Sequence, residues 1–187
     1  MRTLNVFNQV SIDGYFASSS GDARWMHDGD DDAEFRAFIS GNASGASTLV
    51  FGRKTYEMMA GFWPTPMAAE QMPVVAKGMN EAPKLVFSRT LTRADWRGTT
   101  VVNGDAVEEL RRRKGEAGDP LVILGSGSLV GPLAAAGLID EYEVLVSPVV
   151  LGAGRTMFAG VKTPIGLRLK STRTFANGKI FNVYVPR

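Results

Sequence analysis

The chain has 187 residues, of which 44% are apolar and 21% charged, and its formal net charge at pH 7 is +2. These values are typical of a soluble globular protein, and the length predicts a single domain over residues 1–187. The absence of cysteine excludes disulfides, thiol nucleophiles and thiolate metal sites. With a single histidine we also expect no metal site.

The charge pattern argues against a nucleic-acid or membrane partner. The one dense basic run, at residues 111–114, follows Glu108 and Glu109 in a helix-like stretch and is typical of a solvated helix face. No apolar run reaches the length of a membrane span, and no signal-peptide pattern precedes the first strand-like run. We therefore expect a cytoplasmic protein.

The first two thirds of the chain alternate between strand-like and helix-like runs. Asp30, Asp31 and Asp32 have the composition of a helix N-cap and first turn, and Pro73 is expected to weaken or kink the helix in which it lies. Strands are predicted at 4–10, 47–51, 84–88, 99–102 and 121–124, and helices at 33–43, 53–60, 68–81, 105–116 and 128–136.

The last third changes character, with strands at 142–151, 167–175 and 179–185 and no helix between them. Asn177-Gly178 is a strong hairpin signal. The pattern predicts an α/β fold whose alternating part is closed by antiparallel C-terminal strands.

Two glycine turns carry the functional signal, since each follows an apolar strand and opens a helix. Gly52 precedes Arg53, Lys54 and Thr55, and the second turn is the run from Gly125 to Ser128. Glycine lets the backbone approach a ligand closely, and a helix N-terminus attracts phosphate. Each turn alone is more often structural. Together they predict a cleft that holds one dinucleotide.

Five motifs in order, over essentially the whole chain, resemble the dihydrofolate reductase-like superfamily. The closer resemblance is to its branch named for the C-terminal reductase domain of bifunctional riboflavin-biosynthesis enzymes. The motifs are Ser11-Ile12-Asp13-Gly14-Tyr15-Phe16-Ala17, Gly52-Arg53-Lys54-Thr55-Tyr56-Glu57, Lys84-Leu85-Val86-Phe87-Ser88-Arg89, Gly125-Ser126-Gly127-Ser128-Leu129 and Gly137-Leu138-Ile139-Asp140-Glu141.

The resemblance implies a three-layer α/β/α fold with a mixed, mainly parallel sheet that binds NADPH across its carboxyl edge. It implies contacts of Gly52, Arg53, Thr55 and, with less support, Lys54 to the phosphates, and of Ser88 and Arg89 to the adenosine side. A guanidinium at position 89 favours NADP over NAD. Further cofactor contacts are implied for Gly125, Ser126, Gly127, Ser128 and Leu129, and for Asn8 and Gln9 beside the nicotinamide.

The implied reaction is hydride transfer to an electron-poor C=N or C=O carbon, which also needs a proton donor. The resemblance suggests a carboxylic acid shortly before the first glycine turn, and Asp32 is our choice from that cluster. Asp13 competes with it, and His27 is a third candidate. From the residue types alone, helix capping explains Asp32 better than catalysis does, and a turn with Gly14 explains Asp13 as well as catalysis does.

Position 124 departs from the pattern, because riboflavin-pathway reductases typically have a glutamate where this chain has Leu124. We expect an NADP-dependent oxidoreductase that acts on a pterin- or aminopyrimidine-like small molecule, and by analogy with the family we expect a homodimer. Enzymes of this type include dihydrofolate reductase and 5-amino-6-(5-phosphoribosylamino)uracil reductase. The alternative is a catalytically weak or inactive nucleotide-binding module that keeps the NADP cleft.

Overall fold

The fold is described here from a computed structural model over residues 1–29 and 31–187. Within these residues a central sheet has eight strands in the order β5-β4-β3-β6-β1-β7-β10-β9, and β2 and β8 form a separate ribbon. The strands are β1 Leu4–Ser11, β2 Tyr15–Ser18, β3 Thr48–Gly52, β4 Lys84–Phe87, β5 Thr99–Val102, β6 Leu121–Leu124, β7 Glu141–Ser147, β8 Gly154–Thr156, β9 Leu167–Thr174 and β10 Ile180–Pro186.

The central sheet is mixed but mainly parallel, as predicted. The strands from β5 to β7 in the sheet order pair in parallel, and β10 is antiparallel to both of its neighbours, β7 and β9. The helices are α1 Ala33–Ala43, α2 Arg53–Phe62, α3 Pro66–Gln71, α4 Pro73–Glu81, α5 Ala106–Lys114 and α6 Gly127–Ala135. None of the helices in the described ranges has the length and apolarity needed to cross a bilayer.

Apolar side chains cover the sheet on both faces, which is why the central strands read as continuous apolar runs. Every residue of β3 and β4 is buried. On one face Val6, Val50 and Ile123 pack with residues of α5 and α6. On the other face Phe51 and Val86 pack with residues of α2 and α4.

The observed elements differ from the predicted ones where a proline ends or starts an element, or where a strand pairs with residues distant in the sequence. The predicted helix 68–81 is two helices, because Pro73 lacks an amide proton and instead begins α4. β7 ends at Ser147, before Pro148, rather than at residue 151. The β2–β8 ribbon was not predicted, since it pairs Tyr15–Ser18 with residues far along the chain.

Candidate functional site

The two glycine turns touch each other. β3 and β6 are parallel neighbours, so their carboxyl ends reach the same edge of the sheet. The Gly52 amide donates a hydrogen bond to Ser126 Oγ at 2.9 Å, in buried surroundings. In return the Ser126 amide donates to Thr55 Oγ1 at 3.2 Å. These two hydrogen bonds therefore join the turns at one edge of the sheet, as the prediction of a shared cleft requires.

The backbone of the second turn is one that few side chains permit. Gly125 has φ +59°, and a Cβ placed on it would lie 3.0 Å from Thr55 Cγ2. Ser126 has φ 53°, the only positive φ at a non-glycine residue in the described ranges. Such a conformation costs an ordinary residue on the order of 1–2 kcal/mol. The hydrogen bonds of Ser126 to β3 and α2 hold it there.

The helices that begin at these turns start without side-chain caps. In the described part of the chain α1, α3 and α5 are each capped by an acidic or hydroxyl side chain, Asp32, Thr65 and Asp105 respectively. No side chain caps α2 at Gly52 or α6 at Ser126, and α4, which begins with Pro73, has none either. The first amides of a helix need an acceptor, and together with the helix dipole they favour an anion. This edge of the sheet is therefore suited to a phosphate group.

The basic residues around the turns are accessible. Arg53 is half-buried and forms an ion pair with Glu57 at 2.9 Å on its own helix, while Lys54 and Arg89 are exposed. Ser88 Oγ accepts hydrogen bonds from the amides of Thr90 and Leu91 at 3.1 and 2.9 Å, which shapes the turn after β4. These cations lie at the ends of β3 and β4, which are adjacent in the sheet.

Other residues predicted for the cofactor support the turns from inside. Asn8 is buried and donates from Nδ2 to the Gly125 carbonyl at 3.1 Å. Leu129 belongs to the core, and a Cβ on Gly127 would lie 2.8 Å from Phe16. Ser128 is exposed beside Gly52. The structure therefore gives Asn8, Gly127 and Leu129 packing or positioning contacts, and their contact with a cofactor stays a prediction.

Phe7 and Leu124 form an apolar floor on the sheet face that carries α1. Phe7 and Leu124 are register partners on β1 and β6, and both are half-buried. The ring centroids of Phe7 and Phe181 are 6.1 Å apart, and Phe181 in turn packs against Phe38 of α1. Leu124 packs on the other side, in the cluster that contains Trp63. This apolar floor leads towards the second glycine turn, because Leu124 directly precedes Gly125.

Gln9 follows Phe7 on the same face, at the carboxyl end of that floor. Its Nε2 donates to the Met26 carbonyl at 2.8 Å and to Ser147 Oγ at 2.7 Å. Met26 O also accepts from Nζ of the fully buried Lys179 at 3.0 Å. The sequence signal for Gln9 was its position as a polar residue within an otherwise apolar strand. Its partners Met26 and Lys179 were missed, since they are distant in sequence.

The two carboxylates predicted to be catalytic are both bound by backbone amides. Asp32 accepts from Phe35 N at 3.0 Å and from Asn177 N at 3.1 Å, and these bonds lower the pKa of its carboxyl group. Asp13 accepts from Leu151 N and Gly152 N at 3.2 and 2.7 Å.

The hydrogen bond from the Ser11 side chain, together with those backbone amides, lowers the pKa of Asp13. Both carboxylates are therefore ionised at neutral pH. Their catalytic role stays a prediction. Asp30, of the same acidic cluster, lies outside the described residues, and His27 is exposed.

A cavity beyond β5 extends the same edge of the sheet and was not anticipated from the sequence. It has a volume of about 540 Å³, and its lining includes Val102, Asn103, Gly104 and Asp105. The amide of Ser88 donates to Val102 O at 3.1 Å, which joins this cavity to the turn after β4. The carboxyl edge is therefore open beyond β5, next to the turn after β4.

Comparisons with known proteins agree with this geometry. The model of the RibD C-terminal domain matches residues 2–181. The uncharacterized protein YyaP of Bacillus subtilis is 30% identical over 175 residues, which cover 94% of this chain and 90% of that protein.

Two solved structures share the fold at low sequence identity. A putative riboflavin biosynthesis protein from Shewanella sp. PV-4 has a TM-score of 0.71 at 20% identity and covers 99% of both chains. Dihydrofolate reductase from Enterococcus faecalis, complexed with NADP(H) and RAB-propyl, has a TM-score of 0.66 at 15% identity, with 99% of this chain and 96% of that chain covered. The mixed sheet is thus the dihydrofolate reductase-like fold, and the chain belongs to the RibD C-terminal domain family.

Proposed function

We propose that this protein is an NADPH-dependent reductase of a pterin- or aminopyrimidine-like small molecule. The observation that carries the proposal is the hydrogen bond between Gly52 N and Ser126 Oγ at 2.9 Å, which joins two uncapped helix N-termini at one edge of the sheet. Two such termini suit the two phosphates of a dinucleotide. Membership of a reductase family supports the same conclusion.

The residues of this edge would share the cofactor between them. The first amides of α2 and α6 would bind the pyrophosphate, with Arg53, Lys54 and the hydroxyls of Thr55 and Ser128 around it. Ser88 and Arg89 would face the adenosine side, near the cavity beyond β5. Bound NADPH would supply the hydride, and the chain's own residues would orient it and exclude water.

The substrate would lie over the apolar floor of Phe7 and Leu124. Apolar and aromatic walls suit a flat heterocycle. Asp32 and Asp13 are the proposed proton donors. Both are ionised at neutral pH, because backbone amides bind their carboxylates, so each would have to take up a proton before it donates one.

The backbone amides that bind both carboxylates favour one alternative, a nucleotide-binding module that catalyses little. Following NADPH absorbance with a panel of pterins and aminopyrimidines separates the two. Oxidation of NADPH supports the reductase, whereas stoichiometric binding without turnover of any compound supports the binding module.

The phosphate assignment is tested by Arg53→Ala. We expect NADPH binding to weaken by about 1.5–3 kcal/mol, the usual value of a charged hydrogen bond, as measured by calorimetry. Arg111→Ala, which removes an exposed arginine from α5, is the matched control and should leave the affinity unchanged. Equal affinity of wild type and Arg53→Ala would contradict the assignment, and an absence of NADPH binding in the wild type would contradict the proposed function.

Arg89→Ala tests the choice of cofactor. If the guanidinium contacts the ribose phosphate, the variant should lose affinity for NADPH and keep its affinity for NADH. An unaltered ratio of the two dissociation constants would refute that role.

We also propose that the chain is a single-domain, cytoplasmic homodimer. Exposed apolar side chains on the late part of the sheet, among them Leu169 and Ile180, support a subunit contact. Sedimentation of the purified protein tests the dimer.

A further inference from the structure

The side-chain amide of Gln9 is held in one orientation. A backbone carbonyl only accepts hydrogen bonds, so the atom 2.8 Å from Met26 O must be the nitrogen of the amide. The same nitrogen reaches Ser147 Oγ at 2.7 Å. Both protons of Nε2 are therefore used, and the carbonyl oxygen Oε1 points away from these partners.

The partners of Gln9 are themselves fixed. Lys179 is fully buried and donates to the same Met26 carbonyl, so the segment that carries Met26 is bound from two sides. Ser147 is 1% exposed. Rotating the amide would place Oε1 against the Met26 carbonyl, where two acceptors repel each other. The orientation of Gln9 is therefore built into the fold.

The hydrogen bonds to Met26 O and Ser147 Oγ use Nε2 of Gln9 and leave its carbonyl oxygen Oε1 available as an acceptor. In the described ranges it accepts no hydrogen bond, and it is not among the buried side-chain atoms that lack a partner. The side chain is half-buried on the face of β1 that carries Phe7. The apolar floor of Phe7 and Leu124 lies next to it. An oriented acceptor thus stands at the end of an apolar floor.

We propose that Gln9 determines substrate specificity by accepting a hydrogen bond from a ring N–H of the substrate. This role of Gln9 deepens the proposed function and rests on it, since it places the substrate over the apolar floor of Phe7 and Leu124, beside the cofactor. The substrate class is a flat, uncharged heterocycle with an N–H at one edge, as in a lactam. The apolar Leu124 suits an uncharged ring, and a site built around an acceptor rejects an analogue that lacks the donor.

The experiment measures the binding of two probes that differ only in this donor, quinazolin-4(3H)-one and its 3-methyl derivative. Their dissociation constants are determined by quenching of tryptophan fluorescence, with and without NADPH, for wild type and Gln9→Met. We expect wild type to prefer the N–H compound by roughly tenfold and Gln9→Met to bind both within about twofold. Methionine keeps the length of the side chain and removes the amide.

Controls separate the hydrogen bond from folding and from the bulk of the methyl group. Gln71→Met changes an exposed glutamine at the end of α3 and should keep the wild-type preference. Ser147→Ala removes one partner of Nε2 and should reduce the preference partway even if Gln9→Met is poorly folded.

The same preference in wild type and Gln9→Met would overturn the inference, as would a failure of both probes to bind wild type. NADPH binding is measured in the same samples. Its absence contradicts the proposed function, whereas its presence with an unchanged preference contradicts only the role of Gln9.

Discussion

Two helix starts at the carboxyl edge of the central sheet differ from a helix end at its amino edge in how their backbone groups are satisfied. At the carboxyl edge, α2 and α6 begin without a side-chain cap. At the amino edge, the end of α4 is satisfied by a buried cation. Lys84 Nζ donates to the carbonyls of Asn80, Ala82 and Arg97 at 3.2, 2.7 and 3.1 Å.

Aromatic packing completes the amino edge. Lys84 Nζ lies 4.4 Å from the Trp96 ring centroid, and Trp96 Nε1 donates to Asn80 Oδ1 at 2.7 Å. Polar groups that have all their partners stabilise a fold, while amides without protein partners can bind a ligand. The comparison therefore separates an edge whose contacts stabilise the fold from an edge that we propose for binding.

The largest expected effect is that of Lys84→Ala, which should lower the free energy of unfolding by about 4 kcal/mol. The variant leaves a cavity and removes the donor for the carbonyls of Asn80, Ala82 and Arg97. Urea denaturation measures the change. If the edges are separate, the folded variant still binds NADPH within about twofold of wild type. A tenfold loss of affinity with intact folding would break the comparison.

The second effect is a dependence of stability on pH at the amino edge. Burial, together with the charge of Arg97, lowers the pKa of Lys84 to about 8, from an ordinary value of 10.5. Between these pH values the unfolded chain holds a proton that the folded chain has released. The free energy of unfolding therefore rises with pH, by up to about 3 kcal/mol, and below pH 8 this contribution is constant.

The control for this dependence is Lys84→Met, which cannot titrate at that position. Subtracting its profile from that of wild type removes other groups, among them Tyr142, whose pKa burial raises. The difference should rise between pH 8 and 10. A flat difference would contradict the lowered pKa of Lys84.

Much of the fold was predictable because apolar runs and turn residues are local signals. The strands Thr48–Gly52 and Leu121–Leu124 and the hairpin at Asn177-Gly178 were confirmed. The predicted adjacency of the two glycine turns is present in the hydrogen bond between Gly52 N and Ser126 Oγ, while the dinucleotide cleft itself stays a prediction. Local pattern and global fold agree at these positions.

The remaining features depend on partners far along the chain. Nothing near Lys84 in the sequence indicates a lysine buried against Trp96. The orientation of Gln9 is set by Met26 and Ser147, and the backbone contacts of Asp32 include Asn177. Such contacts follow from the topology of the sheet, which the periodicity of single segments does not encode.

The smallest effect on stability is expected at the carboxyl edge. Gly125→Ala places a Cβ 3.0 Å from Thr55 Cγ2 at φ +59°, and we expect a loss of about 2 kcal/mol in the free energy of unfolding. The contact pushes α2 away from the second turn, so NADPH binding should fall by more than tenfold, measured by calorimetry on the folded variant.

Gly137→Ala separates backbone strain from that contact. Gly137 has φ +64°, and a Cβ there meets nothing within 4 Å. This variant should lose a similar or slightly smaller amount of stability and keep its affinity for NADPH. Since both alanines carry the same strain, only the proximity of the two turns explains a difference in binding. Equal affinities would mean that the cofactor does not depend on the alignment of Gly125 with Thr55, and the carboxyl edge would lose its distinction from the rest of the sheet.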